Sequence, residues 1–235
     1  MASNMRILGL TGMPAAGKGT ALERVSEIAN EENDVFFMYQ SCGDLIRSAR
    51  DGMYGDTLRR ELNQFYKESG EGKNAPTYLL EPLFEMALDS ARKANYSVFI
   101  WDGVPRRVDQ LKMIEHGFGI EVPEHIALQR NRQRTLQEII QAQNGHFGNF
   151  PDAQSLCDAY LAQDPRAFDI LQLSIGEKKV RKDAPKMDQR IRSYVTDTEP
   201  TIGQLKLQNR YTVINGHQPA WGVAVDLHRA LQQFR

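Results

Sequence analysis

Residues 12–18, Gly-Met-Pro-Ala-Ala-Gly-Lys, lie between an apolar run at 6–10 and a helical stripe of Leu22, Val25, Ile28 and Ala29. Few chains place glycines and a proline where a buried strand hands over to a helix. The G-x4-G-K spacing in that setting turns backbone N–H groups inward, and the helix N-terminus adds partial positive charge, so the loop is suited to cradle phosphate. Lys18 adds a mobile point charge. The next residue is Gly19, with Thr20 one further on, so the strict pattern with Ser or Thr directly after the lysine is not met.

A strand–loop–helix start implies a repeated βα arrangement, and the rest of the chain supplies one. Short apolar runs at 35–39, 98–101 and 211–214 read as buried parallel strands, with a weaker candidate at 125–129. Helical stripes fall between them: Leu58, Leu62, Phe65 and Tyr66; residues 79–91; Met187, Ile191, Tyr194 and Val195; and Val223, Leu227, Ala230, Leu231 and Phe234. The expected fold is α/β with a five-stranded parallel sheet. Helices without intervening strands occupy about 41–74 and 135–180, each after a predicted strand or its exit loop. Insertions at the carboxyl ends of parallel strands build substrate walls and lids.

The chain has 235 residues, 29 Lys and Arg against 30 Asp and Glu. This balance argues against a general nucleic-acid or membrane-surface role. No apolar run approaches membrane-spanning length, the N-terminal residues lack a signal-peptide layout, and Cys42 and Cys157 stand far apart, which suits a reducing cytoplasm. The five histidines show no ligand spacing.

Residues 12–20 resemble the G-x-P-G-A-G-K-G-T loop of the adenylate kinase family of nucleoside monophosphate kinases, with Ala15 in place of one glycine. The resemblance continues in QSCGDLIRSA at 40–49, which is similar to S-T-G-D-x-x-R, and in WDGVPRRVDQ at 101–110, which is similar to D-G-F-P-R-x-x-x-Q. It implies a P-loop three-layer fold. The core would comprise 1–40, 75–134 and 181–235, with a helical NMP-binding insertion at 41–74 and an atypical, mainly helical lid insertion at 135–180.

The resemblance further implies ATP contacts from Gly12, Ala15, Ala16, Gly17, Lys18, Gly19 and Thr20. On the acceptor side it implies NMP contacts from Cys42, Arg47, Gly103, Arg106 and Gln110, and Mg²⁺ held through water by Asp44 and Asp102. Cys42 stands where threonine is usual, which leaves base preference open. Read without the resemblance, Ser41 or Asp44 is a helix cap and Arg47 a solvated helix residue.

Arg181, Arg190, Tyr194, Thr198 and Pro200 resemble the helix that follows the family's lid, so Arg181 and Arg190 join Lys18 and Arg106 as candidate catalytic cations. Val122-Pro123-Glu124 with Arg130 and Arg134 resembles a V-P-[DE]…R…R segment, which implies ATP contacts from Arg130 and Arg134. An ungapped register instead makes 125–129 the fourth strand, with Arg130, Arg132 and Arg134 beyond its end, and this register is preferred because a parallel sheet needs the strand. VINGHQP at 213–219 resembles the turn beside the donor adenine, with Gln218 as an ATP contact.

The implied reaction is γ-phosphoryl transfer from Mg·ATP to a nucleoside monophosphate, AMP first. A UMP/CMP-type kinase, a nucleotide-binding regulatory module of the same fold and an ATPase with another acceptor are the alternatives. A cytoplasmic monomer that binds small-molecule nucleotides is expected.

Overall fold

The computed structural model describes residues 5–69, 74–143, 145–172, 180 and 184–235. Its first strand β1 (Arg6–Thr11) is buried over its second half and passes through the glycine-rich loop into α1 (Lys18–Glu31). β2 (Phe37–Ser41) leads directly into α2 (Cys42–Arg50), capped by Ser41, whose Oγ accepts from the Asp44 N–H at 3.2 Å. α3 (Asp56–Ser69) and α4 (Thr77–Lys93) follow, then β3 (Val98–Asp102). β4 (His116–Glu121) is followed by α5 (Glu124–Gln143), α6 (Ala153–Leu161) and α7 (Pro165–Gln172). α8 (Met187–Ser193) and α9 (Glu199–Leu207) are joined by a π-helical turn, Tyr194–Thr198. β5 (Tyr211–Asn215) and α10 (Ala220–Leu231) complete the chain's main elements.

The five strands found among the described residues are all parallel, in the order β2-β3-β1-β4-β5. One face of the sheet carries Leu8, Leu10, Val98, Ile100, Phe118 and Ile120 against α1 and α10. The other carries Phe99 and Trp101 against α2, α3, α4 and Leu205 of α9. These are the three layers expected from uninterrupted apolar strands between helices. In the register, Ser41, Leu10 and Asp102 stand side by side at the carboxyl edge, so the loop after β1 opens beside the ends of β2 and β3. That edge is where open α/β sheets bind ligands.

The fourth strand corrects the sequence reading. Residues 125–129 belong to α5, and β4 is the segment HGFGIE at 116–121. Two glycines hide it from an apolar pattern, and they are there for Tyr211 of the neighbouring strand. A Cβ on Gly119 would overlap the Tyr211 hydroxyl, and one on Gly117 would lie 3.1 Å from the Tyr211 ring. Pro123 then starts α5, its carbonyl accepting from the N–H groups of Ile126 and Ala127. β2 also begins two residues later than read, because Val35 stays exposed ahead of the strand.

Within the predicted 135–180 insertion, α5, α6 and α7 bury Ile139, Leu156, Cys157, Tyr160 and Ala167 in a core of their own, joined by Ala184.

Candidate active site

The glycine-rich loop has backbone geometry that its sequence dictates. Gly12 sits at φ 148° with the Ile120 carbonyl 2.6 Å from where a Cβ would be, so only glycine fits there. Gly17, at φ 99°, turns the chain into α1. Ala15 takes φ 62°, a left-handed conformation that costs an L-residue about 1–2 kcal/mol. Its methyl packs against the cluster of Ala127, Met187 and Ile191, which offsets part of that cost.

Lys18 folds back over this loop, its Nζ donating to the carbonyls of Gly12 at 2.8 Å and Met13 at 3.3 Å. Burial lowers its pKa to about 8; Asp102 opposes the shift, and Arg106 and Arg190 add to it. Asp102, at the end of β3, moves the other way: burial raises its pKa against the pull of Lys18 and Arg106. Its Oδ1 is buried without a hydrogen-bond partner among the described residues. A carboxylate oxygen left bare beside phosphate-binding groups is suited to a hydrated Mg²⁺, which takes one or two carboxylates and completes its shell with water and phosphate. Among the described residues no group of three or more His, Cys, Asp or Glu could cage a metal.

Arg106 is fixed at three points. Its backbone N–H donates to Gln110 Oε1 at 2.7 Å, its Nε to the Gly103 carbonyl at 2.7 Å, and its Nη1 to Asn74 Oδ1 at 3.3 Å. Gly103, at φ 84°, leaves room for the guanidinium, because a Cβ there would lie 2.8 Å from Nη2. Gln110 is therefore a buried support of the Arg106 loop, and its Nε2 is buried without a partner among the described residues. Lys18, Arg106 and Arg190 line one cleft with Gly12, Gly103 and Tyr194.

On α2, the Arg47 guanidinium pairs with Asp44 and both are exposed. Cys42 is buried, and burial pushes its thiol up to about 11, with Arg106, Asp102 and Arg47 around it. The thiol is thus protonated and unreactive near neutral pH.

Of the arginines after Val122-Pro123, Arg130 reaches the loop. Its Nη1 donates to the Ala16 carbonyl and its Nη2 to the Gly216 carbonyl, both at 2.9 Å, tying the loop to the turn after β5. Arg132 pairs with Asp158 at 2.8 Å and Arg134 with the partly buried Glu138 at 3.1 Å, and both arginines are exposed. The three therefore do not converge beyond a strand end, as the sequence reading had them. In the β5 turn, Asn215 Oδ1 accepts from the His217 N–H at 2.9 Å, and Gln218 Nε2 donates to the Asn215 carbonyl at 2.9 Å and to Asp226 at 2.8 Å. Gly19 and Thr20 lie in the first turn of α1. Arg181 lies outside the described residues.

Asn74, which lines this cleft, and its partner Asp197 escaped the sequence reading. Asn74 falls in an unpatterned stretch and carries no sequence signal. Asp197, within the Tyr-x-x-x-Thr-x-Pro tail, accepts from Asn74 Nδ2 at 2.9 Å.

A glycine-rich loop at the carboxyl edge of a parallel sheet, with Lys18, Arg106 and Arg190 lining one cleft, has the architecture of an α/β P-loop protein. No family model matches the chain. Among curated proteins it is 31% identical to the uridylate kinase of Saccharomyces cerevisiae over 135 residues, 54% of this chain and 61% of that protein, less than two thirds of the yeast protein's length. It is 25% identical to the adenylate kinase of Mycoplasma capricolum over 216 residues (87% of this chain, 89% of that protein). With the adenylate kinase of Pyrococcus furiosus the figure is 28% over 224 residues (91% and 89%). The chain is thus similar to adenylate kinases along most of its length and to a uridylate kinase over about half of it.

Proposed function

We propose that the protein transfers the γ-phosphoryl group of Mg·ATP to a nucleoside monophosphate, with AMP as the first-choice acceptor and two ADP as products. The observation that carries this reading is the convergence of Lys18, Arg106 and Arg190 on one cleft whose wall includes the phosphate loop. The acceptor phosphate is mostly dianionic near neutral pH, its second pKa being about 6, so no general base is required. Catalysis then consists of aligning donor and acceptor and neutralising crowded negative charge.

In this reading the loop from Gly12 to Thr20 binds the donor phosphates and Lys18 follows the transferring group. Arg47 and Arg106 clamp the acceptor phosphate, Arg190 adds charge from the same cleft, and Arg181 is a further candidate catalytic cation. Asp102, with Asp44, would hold Mg²⁺ through water, and the ion would screen phosphate charge. Arg130 supports the donor side by holding Ala16 and Gly216 together; Gln218 shapes the adjoining turn, and Arg134 would reach the nucleotide only if α5 moves. Residues 41–74 would wall the acceptor and 135–180 would act as the lid that excludes water, the competing nucleophile. We assign it to the cytoplasm as a monomer. No helix among the described residues is long and apolar enough to cross a membrane.

A pyrimidine acceptor is the second reading. It is favoured by Cys42, which offers a base no hydroxyl, and by Gln110, whose amide oxygen is already taken by the Arg106 backbone. The test is separation of nucleotide products after incubation with Mg·ATP and, in turn, AMP, UMP, CMP and GMP. ADP formed beyond the ATP supplied, only with AMP, supports the first reading. UDP or CDP supports the second. ATP binding without transfer to any of the four overturns both.

A further inference from the structure

Among the described residues, no carboxylate is hydrogen-bonded to Arg106. Its side chain is held instead by two neutral oxygens, the Gly103 carbonyl and Asn74 Oδ1. A neutral acceptor orients a guanidinium without cancelling its charge, whereas a carboxylate would neutralise it and repel an incoming phosphate. An asparagine amide can also turn its NH2 group to the same neighbour, which would push the arginine away. What fixes the amide is Asp197, which accepts from Nδ2 at 2.9 Å and so leaves Oδ1 facing Arg106.

Asp197 owes its position to the π-helical turn Tyr194–Thr198, one wide turn between α8 and α9. Such turns rotate the side chains around them relative to a regular helix and are frequent at functional sites. The turn is braced by the Asp197 carbonyl, which accepts from Thr201 Oγ1 at 2.9 Å, and by Asp197 Oδ1, which accepts from Thr196 Oγ1 at 3.1 Å. Asn74 lies just ahead of α4 and Asp197 is 123 residues further on. The relay therefore joins the end of the segment between α3 and α4 to the helix that carries Arg190.

We infer that Asn74 and Asp197 are positioning residues for Arg106: Asp197 sets the Asn74 amide, and the amide aims the Arg106 guanidinium at the acceptor phosphate while leaving its charge unspent. This rests on the kinase reading above.

The experiment is steady-state kinetics of Asn74→Leu, Asp197→Ala, the double variant and Asp197→Asn, with thermal melts as the folding control. Asn74→Leu and Asp197→Ala are each expected to lower kcat/KM for the acceptor about tenfold, the scale of one misdirected charged hydrogen bond, with kcat/KM for ATP within about twofold. Because the relay is linear, the double variant should lose no more than the worse single variant. Asp197→Asn keeps an oxygen that can accept from Asn74 and should recover most of the loss. Asn74→Asp places a carboxylate on Arg106 and opposite Asp197, and is expected to be the most damaging.

Equal losses for ATP and acceptor, or losses that add in full, would overturn the relay while the kinase reading stands. So would single variants with unchanged acceptor constants beside an active unaltered protein. Absence of transfer by the unaltered protein to any monophosphate would overturn the kinase reading and the relay together.

Discussion

The Tyr211 hydroxyl lies 2.9 Å from Thr11 Oγ1, although β4 runs between their two strands. The contact exists because Gly117 and Gly119 clear the face of β4 that the ring crosses. Thr11 Oγ1 also donates to the Phe118 carbonyl at 3.1 Å, and Gly12 is its next neighbour in the chain. Burial raises the Tyr211 pKa despite the bond to Thr11, so the phenol is a neutral strut beneath the phosphate loop at any physiological pH. Gly119→Ala is expected to destabilise the fold by about 1–3 kcal/mol, as overpacked cores do, measured by urea unfolding. Tyr211→Val in that background should recover part of the loss by making room for the methyl. Full additivity of the two changes would refute the account of these glycines.

Lys18 gives the site a pH signature. Its pKa in the free protein is lowered to about 8, so the ammonium that would meet the donor phosphates is lost as pH rises through that value. The profile of kcat/KM for ATP is expected to fall on the alkaline side near pH 8, because that ratio reports the free protein. Bound phosphate favours the charged form, so kcat at saturating ATP should hold to higher pH. The same shift has a stability consequence of fixed sign. The unfolded lysine keeps its proton to about pH 10.5 while the folded one releases it near 8, so this group makes the fold more stable as pH rises through that window. A flat kcat/KM profile between pH 7 and 9 would remove Lys18 from the donor site.

Arg130 acts through backbone. Its two bonds join the Ala16 carbonyl of the phosphate loop to the Gly216 carbonyl of the β5 turn. Arg130→Ala is expected to weaken ATP binding about tenfold or more and to cost about 1–3 kcal/mol of stability, the range for bonds from a charged donor. Arg130→Lys should not restore binding, since a point charge cannot span two acceptors as a planar fork does. Calorimetric titration with ATP checks both. Arg134→Ala, which removes an exposed guanidinium paired with the partly buried Glu138, is the comparison variant and should cost less than about 1 kcal/mol of stability.

Arg106→Ala is expected to reduce turnover by orders of magnitude with a modest change in ATP affinity, because the guanidinium is assigned to the acceptor phosphate and the transferring charge. Comparing single-turnover rates with equilibrium ATP binding separates the two effects. Wild-type turnover in this variant would sink the assignment of the acceptor clamp and remove the object that Asn74 is argued to position.

Contiguous residues determined much of this protein. Gly12, Gly17 and Lys18 set the loop through local backbone geometry, and Asp102 to Arg106 set the loop after β3, because each segment's shape follows from residues within a few positions. The apolar runs of β1, β3 and β5 likewise announced a parallel sheet. Tertiary structure decided what distant partners control. β4 was unreadable because the side chain that fills its face belongs to Tyr211, more than ninety residues away. That one element also decided the arginines. Beyond the end of a strand at 125–129, Arg130, Arg132 and Arg134 look equivalent; on α5 the three diverge, and of them only Arg130 meets the loop. Asn74 and Asp197 carry no pattern of their own, since a relay between an unpatterned stretch and a π-helical turn exists only once the sheet has brought the two segments together.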